Sequence, residues 1–226
     1  MNPSTEEALV VHRALLEAYG EHVWSPHDPV ATLISTIISQ NTNDTNRDVA
    51  FERLRERFPT WEQVRDAREE AIVEAIRPAG LGPTKAPRIQ SALRRITERT
   101  GAISLDFLHD LPTEEARGWL IDLPGVGPKT AAIVLCFALG RAAFPVDTHV
   151  HRVSQRLGLI PEGTSRERAH VLLEALLPER IYYSFHLNLI AHGRAICHSR
   201  NPDCGACILR EVCDYYGSLV EEGEDT

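Results

Sequence analysis

Four cysteines crowd into the 17 residues from Cys197 to Cys213, as Cys-x6-Cys-x2-Cys-x5-Cys at Cys197, Cys204, Cys207 and Cys213. Thiolates so closely spaced suit a metal centre. Zinc sites are usually built from two Cys-x2-Cys knuckles some distance apart. Here only Cys204 and Cys207 form a close pair, the outer arms are longer, and Pro202 and Gly205 shape the loop. Four ligands wrapped round one compact centre favour a [4Fe–4S] cube, which is wider than one zinc ion, with zinc as the alternative. The fifth cysteine, Cys136, stands alone in an apolar helical stretch. His198, Arg194, Arg200 and Arg210 bring positive charge to the same loop, either as a solvated surface or as contacts to phosphate.

A second group lies upstream in Leu123-Pro124-Gly125-Val126-Gly127-Pro128-Lys129-Thr130-Ala131. Gly125 and Gly127 allow a turn too tight for side chains. Their amides, with the start of the following helix, would make an anion site. A plain helical corner is the competing reading. Lys129 falls in the first turn of that helix, where the helix dipole opposes an ammonium. A neutral amine there is a nucleophile. Eighteen residues on, Asp147 stands in Val146-Asp147-Thr148-His149-Val150. It is placed to cap a helix, and one oxygen would remain to stabilise positive charge or move a proton.

The elements that must position these groups read as helices almost throughout. Ser4 with Glu7, Thr60 with Gln63 and Thr164 with Glu167 have capping-box spacing, and Asp28 precedes Pro29 as a cap before a first-turn proline. Val30, Leu33, Ile34, Ile37 and Ile38 follow with helical periodicity and predict one buried face. Helices are expected from Thr113 to Asp122 and from Pro128 to about Leu139. Gly80 and Gly82 bracket a turn, and Gly140 and Gly158 end helical runs. No alternating strand pattern stands out, so the expected fold class is all-α.

Composition bounds the rest. The chain has 226 residues, 43% hydrophobic and 25% charged, which fits one large domain or two modest ones. No apolar run reaches the roughly 18–20 residues of a membrane span, and the polar start from Met1 to Glu7 is no signal peptide. A cytoplasmic protein without membrane contact is expected, where disulfides are disfavoured. The net charge of −8 weighs mildly against a nucleic-acid partner, but charge distribution counts for more than its sum. The acid-rich stretch from Glu221 to Thr226 reads as a solvated tail.

Taken together, Leu123–Ala131 (LPGVGPKTA), residues 145–153 (PVDTHVHRV) and residues 192–213, which begin HGRAIC and carry the cysteines, resemble the endonuclease III family of DNA glycosylases, of the helix-hairpin-helix superfamily. The resemblance runs over nearly the whole chain. It implies a two-lobed all-α fold: a six-helix barrel lobe with the hairpin over 22–140, and a [4Fe–4S] cluster lobe over 1–21 and 141–226. It implies a monomer acting on double-stranded DNA with damaged bases or abasic sites, in a bacterial or archaeal cytoplasm at the nucleoid. The damaged nucleotide would be flipped into a cleft. Lys129 would correspond to the nucleophile that expels an oxidised pyrimidine, forms a Schiff base and nicks by elimination, and Asp147 to the catalytic carboxylate. The cluster would be structural and DNA-facing.

DNA contacts are expected at Gln40, Asn41, Leu81, Lys85, Gly125, Gly127, His149, Arg152 and Arg194. Asn41 takes the place of a family glutamine that fills the gap left by the flipped base, with Gln40 one residue earlier, and Leu81 is a second wedge. Gly82 and Pro83 replace a common Tyr-Asn, which leaves damage preference open. Two other readings stand beside this one. A glycosylase for mismatched or alkylated bases is one, although adenine-removing relatives usually lack the hairpin lysine. A non-catalytic iron–sulfur DNA-binding protein is the other, against which the presence of both Lys129 and Asp147 counts.

Overall fold

The computed structural model describes residues 3–224, with side chains through residue 221. Met1, Asn2 and the acid-rich tail's side chains beyond Glu221 lie outside the described residues. Helices account for the regular structure, and no strand occurs among the described residues. No helix is long and apolar enough to cross a membrane.

The chain divides into two compact units. One is Ser25–Arg141; the other joins Met1–Trp24 to Ala142–Thr226. The middle unit runs through α2 (Pro29–Ile38), α3 (Asp44–Arg57), α4 (Trp61–Asp66), α5 (Glu69–Ala75), α6 (Gly82–Thr100), α7 (Thr113–Ile121) and α8 (Pro128–Ile133). The terminal unit takes α1 (Thr5–Tyr19), α9 (Thr148–Arg156), α10 (Arg166–Leu176), α11 (Tyr182–Ala195) and α12 (Asp214–Glu224).

Local chemistry sets most helix starts. Both halves of the Ser4–Glu7 and Thr60–Gln63 capping boxes are made. Asp28 Oδ1 accepts from the N–H groups of Val30 and Ala31 at 2.8 and 3.2 Å, with Pro29 next, so α2 begins where its cap dictates. The third expected box is not made. Ser165, not Thr164, caps α10, accepting from Arg168 N–H, while the Thr164 hydroxyl donates to Pro161 O at 2.6 Å. Two adjacent hydroxyl residues compete for one cap, and the turn before the helix takes the first.

The predicted apolar face of α2 is buried: Leu33, Ile34, Ile37 and Ile38 are 0% exposed. Each such side chain contributes about 1.5–3 kcal/mol relative to exposure. α2 packs on α3, α6 and α8, and α6 packs on α4 and α5, so the hairpin helix rests on the unit's most apolar helix. The stretch after α8 departs from the regular helix expected there. Val134–Ala138 forms a π turn, closed by Leu139 N–H to Val134 O at 3.2 Å.

In the terminal unit α11 packs against α1 and α9, and α12 against α9. Phe144 and Phe185, both 0% exposed, lie at its centre, with Tyr182 and His186 edge-on to Phe144.

Candidate functional site

In the middle unit the hairpin joins α7 to α8. Val126 N–H donates to Leu123 O at 3.0 Å, and Gly125 adopts φ +81°. A Cβ at Gly125 would also collide with the Arg88 side chain, so conformation and space both require glycine. Gly127 differs. It is extended at φ −103°, with open space where a Cβ would go, so its value is access. Among the described residues no hydrogen bond engages the N–H of Gly125 or Gly127, which leaves two donors for an anion. Lys129 follows as the second residue of α8. It is exposed, and no ion pair or hydrogen bond among the described residues engages its ammonium.

Gln40 is engaged within the middle unit. Its Nε2 donates to Gly125 O at 2.9 Å and its Oε1 accepts from Arg88 Nη1 at 3.0 Å. The amide is spent on bracing the hairpin against the loop after α2. Arg88, which no sequence pattern singled out, is the third member of that brace.

Lys85 is corrected as well. It is 1% exposed, and its Nζ donates to Ile38 O at 2.7 Å and Ala79 O at 2.9 Å. Burial holds its pKa below the ordinary lysine value. No phosphate reaches it. A signal for this was present: Lys85 falls at helical spacing on the buried face of α6 with Gly82, Ala86, Ile89, Leu93 and Ile96.

Asn41 and Leu81, the two expected wedges, are both exposed, Leu81 by 53%. Both are also left-handed, at φ 54° and 53°; Asn201 is the only other described non-glycine residue with positive φ. For leucine that conformation costs roughly 1–2 kcal/mol.

In the terminal unit Asp147 caps α9. Both capping bonds fall on Oδ1, from His149 N–H at 2.9 Å and Val150 N–H at 2.8 Å. No hydrogen bond among the described residues takes Oδ2, so one oxygen fixes the backbone and the other remains for chemistry.

Arg152 is engaged within the terminal unit. Its Nε and Nη2 donate to Cys197 O at 3.0 and 2.9 Å, and Nη2 also reaches Gly193 O at 2.8 Å and His149 Nδ1 at 3.1 Å. Arginine has no acceptor, so His149 Nδ1 accepts and a neutral ring carries its proton on Nε2. A Cβ on Gly193 would lie 3.0 Å from His149 Cβ and 3.2 Å from Arg152 Nη2, so glycine there lets α11 approach α9 closely. Arg194, the next residue, is exposed in the last turn of α11.

The four cysteines of the motif form no disulfide among the described residues and line one pocket with Val153, Leu157, Ile196, Tyr215 and Tyr216. Among the described residues no three His, Cys, Asp or Glu side chains stand close enough to hold one metal ion. Four thiols round a shared hollow suit a cluster wider than an ion. Donors also point at the sulfurs: Arg156 Nη1 lies 3.2 Å from Cys197 Sγ, and Leu209 N–H 3.4 Å from Cys207 Sγ. Burial, then the neighbouring thiolates, push Cys207 and Cys213 above the usual thiol pKa, a repulsion that bound cations would relieve. His192 lies between Tyr19 OH, 3.1 Å from Nδ1, and Cys207 Sγ, 3.5 Å from Nε2; burial pushes its pKa down to about 4. Sequence reasoning placed the cysteines but neither Arg156 nor His192.

Comparison with known proteins gives consistent matches. Residues 34–179 match the model of the HhH-GPD superfamily base excision DNA repair proteins. The endonuclease III of Thermotoga maritima is 37% identical over 189 residues, covering 84% of each chain. That of Sulfolobus acidocaldarius is 34% identical over 188 residues, covering 82% of each. Among solved structures, a trapped endonuclease III–DNA covalent intermediate superposes with TM-score 0.82 at 27% identity, covering 96% of this chain and 99% of the other.

Proposed function

The chain belongs to the HhH-GPD superfamily of base excision DNA repair proteins and, within it, to the endonuclease III family, and on that premise we propose that it is a bifunctional DNA glycosylase and abasic-site lyase that removes oxidised pyrimidines from double-stranded DNA. The observation that carries this reading is Lys129: an exposed, unengaged amine in the first turn behind the Gly125 turn, in a chain whose fold is shared by an enzyme captured covalently on DNA.

The proposed chemistry follows from the side chains. The Gly125 and Gly127 amides hold a backbone phosphate, which fixes the sugar beside the amine. Lys129 Nζ bonds to C1′, and the base leaves with the glycosidic electron pair and takes up a proton. The nitrogen's extra proton then passes to the ring oxygen as the C1′–O4′ bond breaks, which opens the sugar to a Schiff base. Loss of a 2′ proton next expels the 3′ phosphate, so the strand is cut by β-elimination. The Oδ2 of Asp147 stabilises positive charge on the sugar as the base departs and accepts a proton. Asn41 and Leu81 fill the space the flipped nucleotide vacates. His149 and Arg194 contribute DNA contacts. Cys197, Cys204, Cys207 and Cys213 would hold a [4Fe–4S] cluster, whose part is to tie the cysteine loop into one shape. The place of action is the genomic DNA of a bacterial or archaeal cytoplasm.

A panel of duplexes, each with one defined lesion, tests the reading when base release and nicking are scored separately. Release and nicking on oxidised pyrimidines, with little on thymine mismatches or alkylated purines, is the expected outcome. Binding without release from any lesion would contradict it.

A further inference from the structure

Lys85 is among the largest fully buried side chains in the molecule, and its ammonium meets two main-chain carbonyls. These carbonyls are not arbitrary. Ile38 is the last residue of α2, and Ala79 the last of the short 3-10 turn Arg77–Ala79. Carbonyls at helix ends lack an intrahelical donor and carry the negative end of the dipole, so a cation is their natural partner. The chain continues from Ile38 through Ser39 and Gln40 to Asn41, and from Ala79 through Gly80 to Leu81. One ammonium therefore clamps the two segments that deliver the two non-glycine residues of this unit with positive φ, Asn41 and Leu81. The Lys85 main chain adds to this, its N–H donating to Leu81 O at 3.0 Å.

We infer that Lys85 is a positioning residue for base extrusion, its side chain clamping the Ile38 and Ala79 carbonyls so that Asn41 and Leu81 are held together as one rigid double wedge. This rests on the wedge reading of Asn41 and Leu81 given above. Structural economy argues for the role. A buried amine held only by carbonyls is expensive to keep, and a methionine would fill the same volume if packing were the sole need. The clamp also bears on how Leu81 persists in a conformation that leucine avoids, because the carbonyl two residues earlier is held by the Lys85 side chain.

The test compares two substrates. Wedging is needed to open a paired duplex but not to attack an abasic site in single-stranded DNA. Lys85→Met is expected to lower base release from a lesion in a fully paired duplex about 100-fold, the scale of a small misplacement of a positioned group. Borohydride trapping on a single-stranded abasic oligonucleotide should stay at the wild-type level. Adding Lys85→Met to the Asn41→Ala, Leu81→Ala variant should cost nothing further on the duplex, because the groups it positions are gone. Equal losses on both substrates, or full duplex activity in Lys85→Met, would overturn the inference. If Asn41→Ala with Leu81→Ala itself leaves duplex release untouched, it is the wedge reading that fails, whatever Lys85 does. Should Lys85→Met not fold by circular dichroism, Lys85→Arg keeps a buried cation; it should show a smaller loss confined to the duplex, and a loss spread over both substrates would again count against the clamp.

Discussion

The carbonyl oxygen of Cys197 accepts two hydrogen bonds from one guanidinium, that of Arg152, at 3.0 and 2.9 Å. The first residue of the cysteine motif is thereby tied to α9, the helix capped by Asp147. Arg152→Ala leaves Cys197 O and Gly193 O without this donor. The loss should be about 1–3 kcal/mol of stability, read by chemical unfolding, with the salt dependence of DNA affinity unchanged. In Arg194→Ala the slope of log affinity against log salt should fall by about 1. A lowered slope in Arg152→Ala would restore Arg152 as a phosphate contact.

The four thiols that share one pocket give a second prediction. Anaerobically purified protein should carry about four irons and absorb in the visible range. Cys204→Ser should lower iron content and loosen residues 197–213 in hydrogen exchange. One zinc per chain and no iron would show that the single-ion alternative was right.

Leu81 offers a trade between stability and activity. Because leucine at φ 53° is strained and 53% exposed, Leu81→Gly should leave the melting temperature unchanged or raise stability by up to about 1 kcal/mol. Base release from duplex DNA should fall in the same variant. A clear loss of stability would mean that the side chain packs rather than waits for DNA.

His12 makes the terminal unit sensitive to acid. The ring is 8% exposed, packs edge-on to Phe185, and its Nδ1 has no hydrogen bond among the described residues. Burial holds its pKa below the ordinary 6.5; Glu21 opposes the shift, and Arg180 and Arg13 add to it. Above that value the ring is neutral in both states and its burial costs nothing extra. As pH falls below it, the unfolded chain takes up the proton first, and stability is lost down to the folded pKa. His12→Phe should flatten the change in melting temperature between about pH 7.5 and pH 5.5 relative to wild type. An unchanged slope would assign the acid sensitivity to other groups.

What the sequence made legible was local. The caps Ser4, Asp28 and Thr60, the face of α2 and the spacing of the cysteines all depend on neighbours a few residues away. Lys129 and Asp147 were found because short motifs fix them at helix starts. What escaped depends on distant partners. Lys85, Gln40 and Arg152 carry the polar groups expected of DNA contacts, yet each meets a carbonyl supplied by a remote segment: Ile38, Gly125 and Cys197 respectively. No residue-level pattern gives those encounters, apart from Lys85 falling on the apolar face of α6. The π turn after α8 likewise has no local sequence signature, since Val134–Ala138 is an ordinary apolar helical sequence.

The proposed covalent bond to DNA forms at Lys129. Lys129→Gln removes the amine while keeping a polar side chain of similar reach. With Asp147→Asn as its companion, base release should slow by about 100- to 10,000-fold for the carboxylate, the usual scale for an acid or base, while the helix cap is retained. The most direct measurement is borohydride trapping of Lys129→Gln on a duplex with one oxidised pyrimidine, alongside a binding assay on the same duplex. No trapped complex and no nick are expected, with DNA affinity close to wild type. Trapping and nicking at the wild-type level would contradict this, and would make Lys129 an ordinary surface lysine.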